Sequence, residues 1–285
     1  MWFIWALLSA FVSSVFVVFN KKTLKHISSV TLSLAIFLLP IPILLLLALN
    51  QKNDIQWEKY VIGILGTGGC FVIAKTVMFE AIKQSSLSKI YPLFSITTFF
   101  TYLFGLIFLH EHIKLLGIIG IFLTILGTYL INIDQAKEDI LLPFKLLIRS
   151  KESIVLLFSL LLSSLTSVFD KTAIQSSNII VAYLGGNIVS SSLLIVYSIV
   201  RKKRIADEFK TKIGSLFIAS MIYMILVLLV YSGFAAGPIA LVSGVKKLEL
   251  LFVLFFSWIF FHDKPSKHSF IASICMLMGI VFMKI

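Results

Sequence analysis

The chain has 285 residues, of which 59% are hydrophobic and only 13% are charged. Soluble domains average about 25% charged residues, so this composition excludes a water-soluble globular protein and indicates an integral membrane protein. The net charge of +12 does not point to nucleic acid, because Lys and Arg lie mostly in short breaks between apolar runs, where they set membrane orientation.

The apolar runs predict ten transmembrane helices. A helix needs about 20 apolar residues to cross the hydrocarbon core, and the polar breaks between these runs are too short to hold a soluble domain. We therefore expect an all-α, multi-pass protein of the inner or plasma membrane, in contact with lipid. The predicted helices span 2–20, 30–49, 60–81, 87–109, 115–132, 153–174, 179–200, 213–234, 239–261 and 268–284.

The two halves of the chain resemble each other. Shifting by 150 residues lays 12–21 over 162–171 with five identities in ten. The predicted domains are therefore a first five-helix repeat at 1–132, a connecting loop at 133–152 and a second five-helix repeat at 153–285. Because each half has an odd number of helices, the second must enter the membrane from the opposite side, as in inverted-repeat transporters.

Several short motifs carry a family resemblance. They are Phe79-Glu80-Ala81-Ile82, Tyr91-Pro92-Leu93-Phe94, Phe108-Leu109-His110-Glu111, and the second-half ending Phe260-Phe261-His262-Asp263. In these motifs the chain resembles the drug/metabolite transporter superfamily, in particular its ten-helix EamA-type members. The resemblance implies a central cavity between the repeats and uncoupled, proton-coupled or exchange transport. The chain departs from the pattern at Asp263, which is the second-half acid, and at Gly244, which stands where the first half has Pro92.

Four charged residues stand out inside predicted helices: Lys75, Lys246, Lys247 and Glu249. A charge at a helix centre costs about 2.5–3.5 kcal/mol on insertion scales, so these side chains must face one another or a watery cavity. None is duplicated in the other half, which favours a role in binding over a role in the shared fold. Lys246 and Glu249 are three residues apart and can pair on one helical face. The alternative is a structural ion pair with a lysine that snorkels to the boundary.

Weaker binding candidates lie near these charges. Gly244 could make the backbone irregular and expose carbonyls, or could simply allow close helix packing. Tyr91 and Tyr231 carry hydroxyls that need partners when buried.

Three further residues are candidates for coupling or gating. Asn20 and Asp170 occupy matching positions in the two halves, which favours a role at helix ends and leaves gating as the alternative. Glu80 is either a buried carboxylate for proton coupling or an interfacial anion. The triplet His110-Glu111-His112 is a poor chelate on helical geometry and reads as a solvated turn, so no metal site is predicted.

The sequence predicts a secondary transporter of a small anionic or zwitterionic metabolite. Three lysines against Glu249 leave two unbalanced positive charges that a substrate anion could neutralise. The resemblance adds that sugar-phosphate translocators of the superfamily bind phosphate through a Lys-Arg pair in the ninth helix, which Lys246-Lys247 matches in place and sign. The alternatives are an exporter of amines or cationic drugs and a flippase of an anionic lipid headgroup.

The other functional classes are disfavoured. No phosphate-binding G-x-x-x-x-G-K-[ST] motif is present, no nucleic acid or cofactor is expected, and no acidic or histidine pair has catalytic spacing, so an enzyme is not expected. The oligomeric state stays open between monomer and dimer. Loop Lys and Arg number 17 on one side and 5 on the other, which places both termini outside the cytoplasm.

Overall fold

The computed structural model describes residues 1–51, 54–84, 96–130, 151–200, 205–261 and 267–285, and these contain helices and no strands. Twelve helical segments are present in this part of the chain. They are α1 (Trp2–Thr23), α2 (Ser29–Leu38), α3 (Ile41–Leu49), α4 (Trp57–Gln84), α5 (Ile96–Phe108), α6 (Leu115–Leu130), α7 (Lys151–Gln175), α8 (Ile179–Val200), α9 (Ile205–Ala236), α10 (Ile239–Lys246), α11 (Glu249–Phe261) and α12 (Lys267–Lys284).

The helices are those of a multi-pass membrane protein. Six described spans are long and apolar enough to cross a membrane, and three shorter apolar helices accompany them. Large apolar side chains point outward: Leu46 is 65% exposed and Ile199 is 70% exposed. In water such a surface would aggregate, whereas in a bilayer it contacts lipid.

Two predicted helices are each broken in two. The helix predicted at 30–49 is interrupted at Leu39 and Pro40, because prolines at 40 and 42 lack the N–H that continues the helical ladder. The helix predicted at 239–261 is interrupted at Lys247 and Leu248. There the amides of Lys247 and Leu248 donate to Gly244 and Val245, three residues back, which tightens the chain into a turn.

The break between the helices predicted at 179–200 and 213–234 was wrong in its second part. Helix α9 begins at Ile205, with Asp207 and Glu208 in its first turn, where carboxylates interact favourably with the helix dipole. Glu208 also accepts a 2.9 Å hydrogen bond from the amide of Ser28. The helix bends at Lys212, whose φ of −126° and ψ of 22° are not helical. Residues 151 and 152, predicted as loop, begin α7, while 133–150 lie outside the described residues.

The core lies where helices of the first half pack against helices of the second. The extensive pairings are α6 with α12, α4 with α7 and α1 with α9. Small residues permit close approach: a Cβ added to Gly63 would lie 2.8 Å from the Cβ of Ala173, and one added to Gly66 would lie 2.4 Å from the ring of Phe169. These pairings bring α4, α7 and α9 around a common space.

Candidate functional site

A cavity of about 170 Å³ opens between α4, α5, α7, α9 and the broken α10–α11 segment. Its wall combines apolar side chains with hydroxyl groups and five charged residues. The charged residues are Lys75, Asp170, Lys246, Lys247 and Glu249. The structure therefore brings to one cavity all four of the charged residues that the sequence marked for binding, together with Asp170.

Lys75 is held among aromatic rings. Its Nζ lies 5.0 Å from the centroid of Tyr223, 5.3 Å from Phe71, 5.6 Å from Phe79 and 6.0 Å from Phe16. Ring faces attract an ammonium within about 6 Å. Among the described residues no carboxylate or other acceptor hydrogen-bonds this Nζ, although Glu249 lies within electrostatic range of it.

Lys247 lies in the turn between α10 and α11, and its Nζ donates a 3.0 Å hydrogen bond to Thr97 Oγ1 on α5. Glu249 begins α11 and accepts a hydrogen bond from Ser13 Oγ on α1. The predicted pairing of Lys246 with Glu249 was wrong, since no ion pair joins these two described side chains. The turn at Lys247 and Leu248 removes the regular helical offset on which that pairing depended.

Asp170 forms a second polar cluster in the cavity. Its Oδ1 accepts a 2.6 Å hydrogen bond from the hydroxyl of Tyr231 and a 2.8 Å hydrogen bond from Thr67 Oγ1. The residue is only 7% exposed. Sequence reasoning favoured a helix-end role for Asp170, but α7 continues to Gln175 and places this carboxylate inside the bundle. The sequence analysis did not identify Thr67, whose only sequence signal is a lone hydroxyl in an apolar run.

The adjacent Lys171 ties the two halves together. Its Nζ lies 2.6 Å from Glu111 Oε1 and donates a 2.8 Å hydrogen bond to the carbonyl of Gly237. Glu111 Oε2 in turn accepts a 2.9 Å hydrogen bond from the amide of Ile239, at the start of α10. Both charged side chains are about nine-tenths buried. The interpretation of 110–112 as a solvated turn was therefore wrong for Glu111.

Three of the remaining candidates, Gly244, Glu80 and Asn20, lie away from the cavity wall. Gly244 is buried in α10, where an added Cβ would lie 2.8 Å from Met283, so it serves close packing. Glu80 is exposed near the end of α4 and accepts a hydrogen bond from Ser29. Asn20 is 2% exposed, and its amide makes no hydrogen bond with the described residues. Tyr91 lies outside the described residues.

A membrane-embedded helical bundle whose two halves enclose a small charged cavity defines the class of solute transporters. The model of the EamA-like transporter family matches residues 1–133 and 150–285. The chain belongs to this family and is a membrane transporter of the drug/metabolite transporter type, as its sequence motifs predicted. The family is one of transporters and not of enzymes.

A comparison with solved structures bears on the fold. A solved structure described as "Crystal structure of protein" is similar over 97% of this chain and 95% of its own, with a TM-score of 0.65 and 15% sequence identity. At that identity the likeness shows the fold alone. Comparison with the curated proteins gives no match.

Proposed function

We propose that the protein is a secondary transporter of the cell membrane that moves a small anionic or zwitterionic metabolite by alternating access. The observation that carries the proposal is the convergence of three lysines on one cavity. Among the described residues that line the cavity, Lys75, Lys246 and Lys247 face two carboxylates, Glu249 and Asp170, so one positive charge is left unbalanced even when both acids are ionised. A bound anion would complete the balance.

The size of the cavity favours a small ligand. Sites for drug-sized molecules typically measure about 300–1,000 Å³, whereas this cavity has about 170 Å³. Its unbalanced charge is positive, which disfavours amines and cationic drugs as the main substrates.

The helix pairings support an architecture of ten spans in two inverted repeats. Among the described helices, counting α2–α3 and α10–α11 as one interrupted span each leaves ten spans, five in each half. The packing of α1 on α9 then corresponds to that of α7 on α4 when the halves are exchanged, and the pair α6 and α12 exchanges with itself. Such exchange is what a duplicated, pseudo-two-fold transporter requires.

Separate Lys246→Ala and Lys247→Ala variants test the anion site. A hydrogen bond to a charged group contributes about 1.5–3 kcal/mol, so losing either lysine should weaken anion binding by about 10- to 150-fold. Purified protein would be screened by thermal shift against phosphate, short carboxylates, amino acids and amines, and stabilising ligands would then be assayed for flux in proteoliposomes.

Lys59→Ala is the matched control, because Lys59 is exposed at the start of α4 and should leave binding unchanged. Wild-type affinity for anions in both cavity variants would remove the anion site. Stabilisation by amines alone, unaffected by either variant, would favour the amine exporter instead.

The orientation is a further expectation of this proposal. The Lys and Arg bias places both termini outside the cytoplasm. Fusions to alkaline phosphatase, which is active only outside, should be active at both ends, and fusions to green fluorescent protein should be dark when exported through the general secretory route. Cytoplasmic fluorescence from either terminus would contradict the orientation.

A further inference from the structure

We propose that the cavity binds its substrate as an extended zwitterion, with the substrate's ammonium group on Asp170 Oδ2 and its anionic group on Lys75 and Lys247. The inference rests on the proposed function. It narrows the substrate class from small anions and zwitterions to zwitterions whose amine is distant from the anionic group. It assigns Asp170 as a second binding subsite, separate from the lysines.

The free oxygen of Asp170 is the first observation. Both hydrogen bonds that this carboxylate accepts, from Tyr231 and Thr67, fall on Oδ1. Among the described residues Oδ2 accepts none, although the residue is 93% buried and lines the cavity. Because Oδ2 is not one of the buried unpaired atoms, it is open to the cavity that Asp170 lines, where an ammonium would supply a charge-assisted hydrogen bond.

The aromatic wall beside Asp170 suits a cation. Tyr231 anchors the carboxylate through its hydroxyl, and Phe234 lines the cavity one turn further along α9. Ring faces near a carboxylate add attraction for an ammonium and none for an anion.

The distance between the two ends follows from helix geometry. On α4, Thr67 contacts Asp170, and Lys75 follows Thr67 by eight residues. On α9, Tyr231 contacts Asp170 and Tyr223 contacts Lys75, and these two tyrosines are also eight residues apart. At 1.5 Å per residue each offset is about 12 Å.

Helix α7 gives an independent value for the axial distance between Asp170 and the lysine end of the cavity. Ser164 donates a hydrogen bond to the carbonyl of Thr97, and the hydroxyl of Thr97 accepts one from Lys247. Ser164 precedes Asp170 by six residues, which is about 9 Å along the helix axis. If these axial offsets are taken as the separation of the Asp170 carboxylate from the lysine ammonium groups, a hydrogen bond of about 2.8 Å at each end leaves about 3–6 Å between the ligand's charged atoms. The upper part of this range fits an ammonium separated from a carboxylate by three or four methylene groups, whereas an α-amino acid matches only its lower end.

The test compares 5-aminopentanoate with pentanoate, pentylamine and glycine by thermal shift on wild-type protein and on Asp170→Asn. Asparagine keeps the size of the side chain and an oxygen for Tyr231, and the equivalent position of the first half already holds Asn20, so the variant should fold. Glu58→Gln is the matched control, because Glu58 is exposed at the start of α4.

We expect 5-aminopentanoate to stabilise the wild type at concentrations at least about tenfold lower than pentanoate, pentylamine or glycine. In Asp170→Asn this advantage over pentanoate should disappear, while the response to pentanoate persists. Equal potency of 5-aminopentanoate and pentanoate on the wild type would overturn the inference, and this result needs no variant. An advantage that survives in Asp170→Asn would overturn it as well.

Lys247→Ala separates this inference from the proposed function. Loss of the pentanoate response in that variant supports the anion site whatever Asp170 does. If pentanoate acts equally on Lys247→Ala and on the wild type, the anion site fails. A wild-type protein that responds to none of the four probes at millimolar concentration overturns the inference, while the wider anion panel still decides the proposed function.

Discussion

Methionine in place of Lys171 is expected to lower the free energy of unfolding by about 3–5 kcal/mol. Lys171 lies 2.6 Å from Glu111, and both side chains are about nine-tenths buried. Removing the cation would leave the Glu111 carboxylate buried with the amide of Ile239 as its main remaining donor. Because the pair joins α7 of the second half to the end of α5 in the first, its loss should weaken the association of the halves.

Equilibrium unfolding of the purified protein in detergent would measure this effect. The double variant Lys171→Met with Glu111→Gln serves as the second arm, since removing both charges avoids an uncompensated buried carboxylate and should cost less than the single change. A single variant within about 1 kcal/mol of the wild type would show that this pair is solvated and contributes little.

Leucine in place of Gly120 is expected to cost about 3–5 kcal/mol and to separate α6 from α12. A Cβ on Gly120 would lie 2.4 Å from the backbone carbonyl oxygen of Gly279, and a Cβ on Gly279 would lie 2.6 Å from that of Gly120. The two helices therefore contact each other backbone to backbone. A backbone carbonyl cannot move aside to make room for an added side chain, whereas the end of a flexible side chain can. Helix association in membranes depends on such close packing of small residues.

Gly214→Leu is the matched control for this substitution. Gly214 lies on α9, is exposed, and has no atom within 4 Å of an added Cβ. Leucine there should be neutral or stabilising by up to about 1 kcal/mol through helix propensity. Equal effects at the two glycines, measured by thermal unfolding and by yield of monodisperse protein, would contradict the close contact of α6 with α12.

The sequence predicted the helical membrane class and most helix positions, because apolar length is imposed by the bilayer and not by tertiary contacts. It failed where a local feature competes with hydropathy. Asp207 and Glu208 made 205–212 look like loop, yet a first helical turn accommodates carboxylates. The break at Lys247 was not predicted, because the apolar run continues beyond it and Gly244 was equally compatible with irregular backbone and with close packing.

The charged residues of the cavity were predictable because burying them is costly, but their pairing was not. The expected pairing of Lys246 with Glu249 assumed one continuous helix. The ion pair of Lys171 with Glu111 had a sequence signal, because each residue matches a residue of the same charge in the other half. Lys171 matches Lys21, and Glu111 matches Asp263. Two duplicated positions of opposite charge favour a shared structural contact. Thr67 had no such signal, since only three-dimensional proximity to Asp170 distinguishes it.

The aromatic surroundings of Lys75 have an electrostatic consequence. A carboxylate partner would form a dipole with the ammonium, whose potential decays quickly with distance. The four rings around Nζ instead present quadrupoles, which stabilise the cation at short range and carry no net charge of their own to cancel it. In a low-dielectric bundle the cation's monopole potential extends through the cavity and raises the local concentration of anions at its entrance. The rings thus let α4 carry a buried charge that still acts on solute at a distance.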